Sequence, residues 1–295
     1  MSARPGIDAG TRHLGAAIDR MPTYLLLLAP VIVFYAIFLL GPYAGLLAMS
    51  LYRFSSTAIY SATLTLENYV AVLTDLFYLR MLGGTILLGL GVTLITLLLG
   101  YPLALSIVRA PPRLKAILLI IALSPMLVNL VVRTYAWLVL LGDKGIINAW
   151  LMAAGVIASP LPINTNFFAV TIGLVHVTLP LMILSLVGIM ERIDQSLLEA
   201  AESLGAGPWR ILSRVHVQLA LPGIGTGSLL VFCSAISAFV TPRLLGGNRV
   251  STISTAIYEK FSFSMNWPLG ATLVFILLAV NFLIIALHGR FFGAR

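Results

Sequence analysis

Long stretches without an acid or a base decide most of what this chain can fold into. No Asp, Glu, Lys or Arg stands between Arg20 and Arg53, from Met81 to Val108, or from Ala116 to Val132; the same holds from Gly145 to Met190, Val215 to Pro242 and Phe261 to Gly289. A helix needs about 20 apolar residues to cross the hydrocarbon of a bilayer, so nearly every run can supply a crossing. Only 9% of the 295 residues are charged and 60% are hydrophobic, with a mean hydropathy of +1.04. A soluble domain of this length carries roughly 25% charged residues, because water must wet its surface. Transmembrane strands alternate polar and apolar residues over about 10 positions, so these unbroken runs exclude a barrel. The expected fold is an all-α membrane protein with about six transmembrane helices, at residues 24–50, 81–108, 116–141, 167–190, 223–241 and 269–288. Residues 1–22 read as a polar cytoplasmic segment and 23–295 as one transmembrane domain. The apolar run after Arg20 is too long for a signal-peptide core and has no prompt small-residue cleavage site, so the first span is expected to be retained.

The formal net charge of +8 does not point to nucleic acid, since the basic residues are scattered between spans and form no stripe interleaved with aromatics. With the N-terminus inside, the inner segments hold Arg4, Arg12, Arg20, Arg109, Arg113, Lys115, Arg192, Arg210, Arg214, Arg290 and Arg295, eleven of the 18 Lys and Arg residues. The outer segments hold the other seven: Arg53, Arg80, Arg133, Lys144, Arg243, Arg249 and Lys260. This asymmetry places both termini in the cytoplasm. The lone Cys233 can form neither an intrachain disulfide nor a metal site, and His13, His176, His216 and His288 show no ligand spacing. Pro30, Pro42, Pro125 and Pro180 lie inside expected spans, as do glycines from Gly83 to Gly91; such breakers are tolerated where a neighbouring helix or cavity satisfies the freed carbonyl. Gly223 and Gly227, four apart, permit close approach of another helix.

The longest inner loop, 191–222, is not composed like a linker: it reads ERIDQSLLEAAESLGAGPWRILSRVHVQLALP. Asp194 is a good N-cap and is followed by strong helix formers through Leu204. Gly205 can adopt the left-handed conformation that ends a helix, and Pro208 suits the first turn of a second one. Leu197, Ala201 and Leu204 share one face of the first helix, with Gln195, Glu199 and Glu202 largely away from it. Trp209, Leu212, His216 and Leu219 mark a face of the second, so a short helix–Gly–helix element is expected on the cytoplasmic surface.

Glu199-Ala200-Ala201, three residues, then Gly205 resembles the "EAA" loop of the transmembrane subunits of type I ATP-binding-cassette (ABC) importers. The likeness extends to Leu204-Gly205-Ala206 and to Pro222-Gly223-Ile224; the family's usual proline after Val215 and Val217 is Gln218 here. Leu66-Glu67-Asn68-Tyr69, Val132-Arg133-Thr134-Tyr135-Ala136-Trp137, Val240-Thr241-Pro242 with Leu245-Gly246-Gly247, and Asn266-Trp267-Pro268 resemble the spermidine/putrescine permease group within it. The resemblance implies a type I ABC importer permease fold for 23–295. It also implies a coupling helix that docks on a cytoplasmic ATPase, with Glu199, Ala200, Ala201, Leu204, Gly205 and Ala206 as the coupling residues. It implies as partners two ATPase subunits, a second and non-identical permease, an extracytoplasmic solute-binding protein and the bilayer of a bacterial inner membrane. The chain has no G-x-x-x-x-G-K-[ST], and Gly223-Ile224-Gly225-Thr226-Gly227 lacks the lysine of a phosphate cradle. ATP and Mg are therefore expected on the ATPase subunits, with no cofactor and no catalytic residue on this chain.

Candidate residues of the translocation path are the polar or aromatic ones inside spans: Arg133, Thr134, Tyr135, Trp137, Ser234, Ser237 and Asn281. No Asp or Glu falls within an expected span, and the ionised residue at depth is Arg133, so a polyamine and another small solute (amino-acid-like, an opine or a phosphonate) both stay open. An ion-coupled secondary transporter needs ionisable groups near the midplane, and a membrane-embedded enzyme needs a zinc pair, paired aspartates or a nucleophile with its base. Arg133 is almost all the chain offers toward the first set, which leaves the secondary transporter as the remoter alternative, and the second set has no match in the sequence.

Overall fold

The computed structural model describes residues 23–55, 58–247 and 249–292. The expected cytoplasmic segment 1–22, with Arg4, Arg12 and Arg20, lies outside the described residues, as does Arg295. The first span is built from α1 (Thr23–Tyr35) and α2 (Gly41–Ser50), joined by one π-helical turn at Ala36–Leu40. The wider turn falls where Pro42 withholds the amide that an α-helix needs.

A two-stranded antiparallel hairpin follows, β1 (Tyr52–Ser55) and β2 (Ile59–Leu64), with Tyr52 stacked on Tyr60. The short helix α3 (Glu67–Thr74) anchors it. The Asn68 amide donates to the carbonyls of Ser50 (3.1 Å) and Tyr52 (2.8 Å), Tyr69 hydroxyl meets Ser50 Oγ at 2.8 Å, and Arg53 pairs with Glu67 at 3.1 Å. The Glu67-Asn68-Tyr69 motif is thus a clasp that satisfies the carbonyls left open where span one ends.

The second span, α4 (Leu76–Arg109), is 34 residues long, about 51 Å at 1.5 Å per residue, and outreaches the roughly 30 Å of hydrocarbon. The fourth is α8 (Phe167–Met190) and the sixth α14 (Trp267–Phe292). The fifth is helical from Pro208 to Ser237: α10 (Pro208–Ile211), a π turn (Leu212–His216) and α11 (Val217–Ser237). Short helices α12 (Val240–Leu245) and α13 (Ile253–Ser262) link it to the sixth. The fifth span therefore starts well before the expected Gly223 and stops before Thr241, which sits in α12 after an extended Ala238. Pro222 does not end the helix, and Thr226 hydroxyl donates back to its carbonyl.

The third span departs most from expectation. Instead of one helix over 116–141, the chain forms α5 (Pro112–Leu127) and α6 (Leu130–Leu140), bent by 95°. Val128 and Asn129 are extended, and Asn129 Oδ1 accepts from the amides of Val131 and Val132 at 2.9 and 3.4 Å. An N-cap inside an uncharged run starts a new helix without changing hydropathy, and this is why the run read as continuous. A further helix, α7 (Ile146–Ala153), follows.

The core is the contact of α4, α8 and α11. Lipid is as apolar as leucine, so packing here depends on close approach rather than on leaving water. Met182 of α8 is fully buried between two glycines: a Cβ on Gly100 of α4 would stand 2.9 Å from its Cγ, and one on Gly227 of α11 would stand 2.7 Å from its Sδ. A Cβ on Gly223 would stand 3.1 Å from the Ser185 carbonyl oxygen, so the Gly223/Gly227 pair does mark a tight helix crossing. A second cluster joins Val72, Met81, Phe232, Ile236, Ile253 and Leu273.

Candidate functional site: the cytoplasmic loop and the outward face

The loop after α8 folds as two helices around a glycine. Asp194 caps α9 (Gln195–Ser203), accepting from Ser196 N at 2.9 Å, and that bond holds its carboxyl below the usual carboxylate range. At the other end Gly205 has φ +78°, its amide donates to the Glu202 carbonyl (2.8 Å) and Ala206 N donates to the Ala201 carbonyl (3.0 Å). This is the Schellman pairing, and it gives the Glu199-Ala200-Ala201…Gly205-Ala206 spacing a local cause: Ala201 and Ala206 are the two ends of one hydrogen bond.

α9 is exposed along most of its length, with Leu198 and Ala201 its less exposed residues. Leu197 is half-exposed, Leu204 is 88% exposed and Trp209 on the next helix is 77% exposed. Leu198, with the exposed Gln195, Glu199 and Glu202, borders a cavity of about 280 Å³ against Arg109, Met190, Ile211 and His216. Trp209, Leu212, His216 and Leu219 do not form one face. Trp209 points out, and the buried set is Ile211, His216 and Ala220, spaced five and four apart because the π turn inserts a residue. His216 is 4% exposed, and its Nδ1 lies 2.8 Å from Tyr101 Oη of α4.

The seven residues expected along a path fall in three places. On α6, Arg133 Nη1 donates to the Pro125 carbonyl across the elbow, buried Thr134 donates to the Leu130 carbonyl, Tyr135 is half-exposed, and Trp137 Nε1 donates to His176 Nδ1 at 3.1 Å. Ser234 and Ser237 stand on an exposed stripe of α11 with Thr226 and Leu230, at helical spacings of four, four and three. Asn281 on α14 donates to its own helix at the Leu277 carbonyl. Arg133 thus braces the elbow, answering a carbonyl that the broken helix leaves open. His176 and Tyr101 were not legible as partners from sequence, since each meets its partner only through the fold; the Thr226-to-Ser237 stripe was legible in its spacing.

Among the described residues, five long apolar helices, a further span broken at an elbow and a two-helix loop between spans four and five make a polytopic membrane protein, and its fold is that of an ABC importer permease. A bacterial ABC transporter involved in the import of the acidic polysaccharide alginate has that fold: it superposes with a TM-score of 0.75 at 18% identity, covering 96% of this chain and 99% of that one. Residues 97–292 match the family of binding-protein-dependent transport system inner membrane components, and the chain belongs to that family. It is 35% identical over 253 residues to the spermidine/putrescine transport system permease protein PotB of Haemophilus influenzae, covering 86% of this chain and 88% of that protein. PotB of Escherichia coli is also 35% identical, over 77% of this chain and 82% of its own. The protein is accordingly a multi-pass inner-membrane transport component.

Proposed function

We propose that this chain is one permease subunit of an ATP-driven importer that carries spermidine or putrescine into the cytoplasm. The observation that supports coupling to ATP is the exposure of Leu204 and Trp209 at the capped turn that closes α9 and opens the next helix. Fully burying a leucine stabilises by about 1.5–3 kcal/mol, so two large apolar side chains held in water on a capped, rigid element suit a protein partner. That partner is a cytoplasmic ATPase subunit, which holds ATP and Mg and receives the segment Glu199, Ala200, Ala201, Leu204, Gly205 and Ala206. The full assembly has two ATPase subunits, a second, non-identical permease and an extracytoplasmic solute-binding protein, with both termini of this chain cytoplasmic. The exposed stripe with Ser234 and Ser237 faces the second permease and the path between them, and Arg133, Thr134, Tyr135, Trp137 and Asn281 complete that path. Nucleotide binding closes the ATPase pair, moves the coupling helices and opens the path outward; hydrolysis resets it.

The identity to two PotB permeases supports the polyamine. A second reading, an anionic or zwitterionic solute, is favoured by Arg133, a guanidinium at span depth. The test is uptake into proteoliposomes holding the complete complex, with labelled spermidine, putrescine, an amino acid and a phosphonate offered in turn. ATP-dependent uptake of spermidine or putrescine supports the reading, and uptake of the anionic solutes alone overturns the polyamine assignment.

A further inference from the structure

α9 packs on α10 and on the π turn at the start of the fifth span. A cavity lies between it and the inner end of α4, so a push on α9 reaches the spans at the ends of its loop, above all at the exit, where it touches the start of the fifth span. Two polar ties hold those ends. At the entry, Glu191 pairs with Lys115 of α5 at 2.5 Å, a half-exposed ion pair of small worth. At the exit, half-buried Tyr101 and buried His216 link α4 to the start of the fifth span across 115 residues.

Three features of the exit tie set it apart from ordinary packing. The inward position four residues after Ile211 is Val215, an apolar residue that needs no partner; the π turn displaces it and puts a histidine ring there instead. A buried ring nitrogen must be bonded, so once His216 is turned inward the Tyr101 hydroxyl is its fixed counterpart. Tyr101 is followed by Pro102, which withholds an amide inside α4, and preceded by Gly100, which lies against Met182. The tie therefore meets α4 where that helix bends most readily.

We propose that the Tyr101–His216 hydrogen bond is the joint through which movement of the coupling loop reaches α4, so that both are positioning residues for transport. The proposal rests on the coupling role given to α9 above. The test uses the complete complex in proteoliposomes and reads the ATPase rate against Mg-ATP concentration and labelled spermidine carried per ATP hydrolysed. Tyr101→Phe and His216→Ala should each lower kcat and spermidine per ATP by about fivefold to tenfold, the scale of one hydrogen bond, at unchanged KM for ATP. The double variant should fall no lower than either single one, and His216→Gln, whose amide can still bond the phenol, should keep more than half of the wild-type ratio. If His216→Ala does not assemble, Tyr101→Phe decides, because it keeps the ring and its packing. Wild-type behaviour of Tyr101→Phe, or a double variant that multiplies the two single losses, overturns the joint. Gly205→Pro in the same assay separates the two levels: if it too works normally the coupling role itself fails, whereas its collapse beside a normal Tyr101→Phe removes the joint alone.

Discussion

Gly205 offers a clean perturbation of the cytoplasmic loop. Its φ is +78° and a Cβ built on it meets nothing within 4 Å, so substitution tests backbone conformation without a steric clash. An L-residue in the left-handed region costs roughly 1–2 kcal/mol, least for asparagine and more for a β-branched residue. One to two kcal/mol shifts the population of the closed Schellman turn by a factor of about 5–30. Once the turn opens, the Ala206-to-Ala201 and Gly205-to-Glu202 bonds are lost and Leu204 no longer has a fixed position. ATP-driven uptake in the reconstituted complex should therefore fall in the order Gly205→Asn, Gly205→Ala, Gly205→Val, with the asparagine variant close to wild type and Gly205→Val down by at least tenfold. Equal activity across the series refutes the claim that the left-handed turn positions the loop. An asparagine variant as impaired as the valine one refutes the backbone explanation for it.

Asn129→Ala should remove the cap of α6 and lower stability by about 1 kcal/mol, while Asn129→Asp and Asn129→Ser retain most of it; thermal unfolding of the detergent-solubilised complex reads the difference. Gly223→Ala places a methyl 3.1 Å from the Ser185 carbonyl oxygen, and the α8–α11 crossing should loosen at a cost of about 1–3 kcal/mol, seen in the same melt. Asp194 titrates below its ordinary value because the bonded carboxylate is favoured. Its capping contribution is thus present above the unfolded pKa of about 3.9 and lost as pH falls through the lower folded value. The protection factor of the Ser196 amide, its exchange measured against the unstructured rate at the same pH, should fall on that acidification in the wild type, show no such fall in Asp194→Asn, and be low throughout in Asp194→Ala. Asn68→Ala leaves the Ser50 and Tyr52 carbonyls without its amide, and proteolysis at the hairpin should quicken.

Features set by local chemistry were readable from the residues. The uncharged runs located the spans because hydropathy needs no knowledge of neighbours, and α8 matches 167–190 at both ends. The α9 element was readable because an N-cap at Asp194, a left-handed Gly205 and Pro208 act within one turn of themselves. The elbow at Val128 and Asn129 was hidden, since asparagine carries no charge and a proline such as Pro125 is tolerated in a continuous span. The hairpin from Tyr52 to Leu64 was hidden as well, being held by Asn68 and Tyr69 rather than by a period of its own. The error over Trp209 and His216 came from applying a 3.6-residue period through a π turn. Side chains on a candidate path were the least legible, because facing a path depends on helices that meet only in the folded assembly.

The central claim, that the apolar face of α9 seats on an ATPase subunit, is tested most directly by crosslinking at Leu204. With Cys233→Ser removing the lone native thiol, Leu204→Cys in the assembled complex is treated with a short thiol–photoreactive reagent and the product is identified by mass spectrometry. A product joining this chain to the ATPase subunit, lost when the label is moved to Tyr135 on α6, is the predicted result. A Leu204 label that reacts only with lipid or water in a complex that still transports contradicts the account.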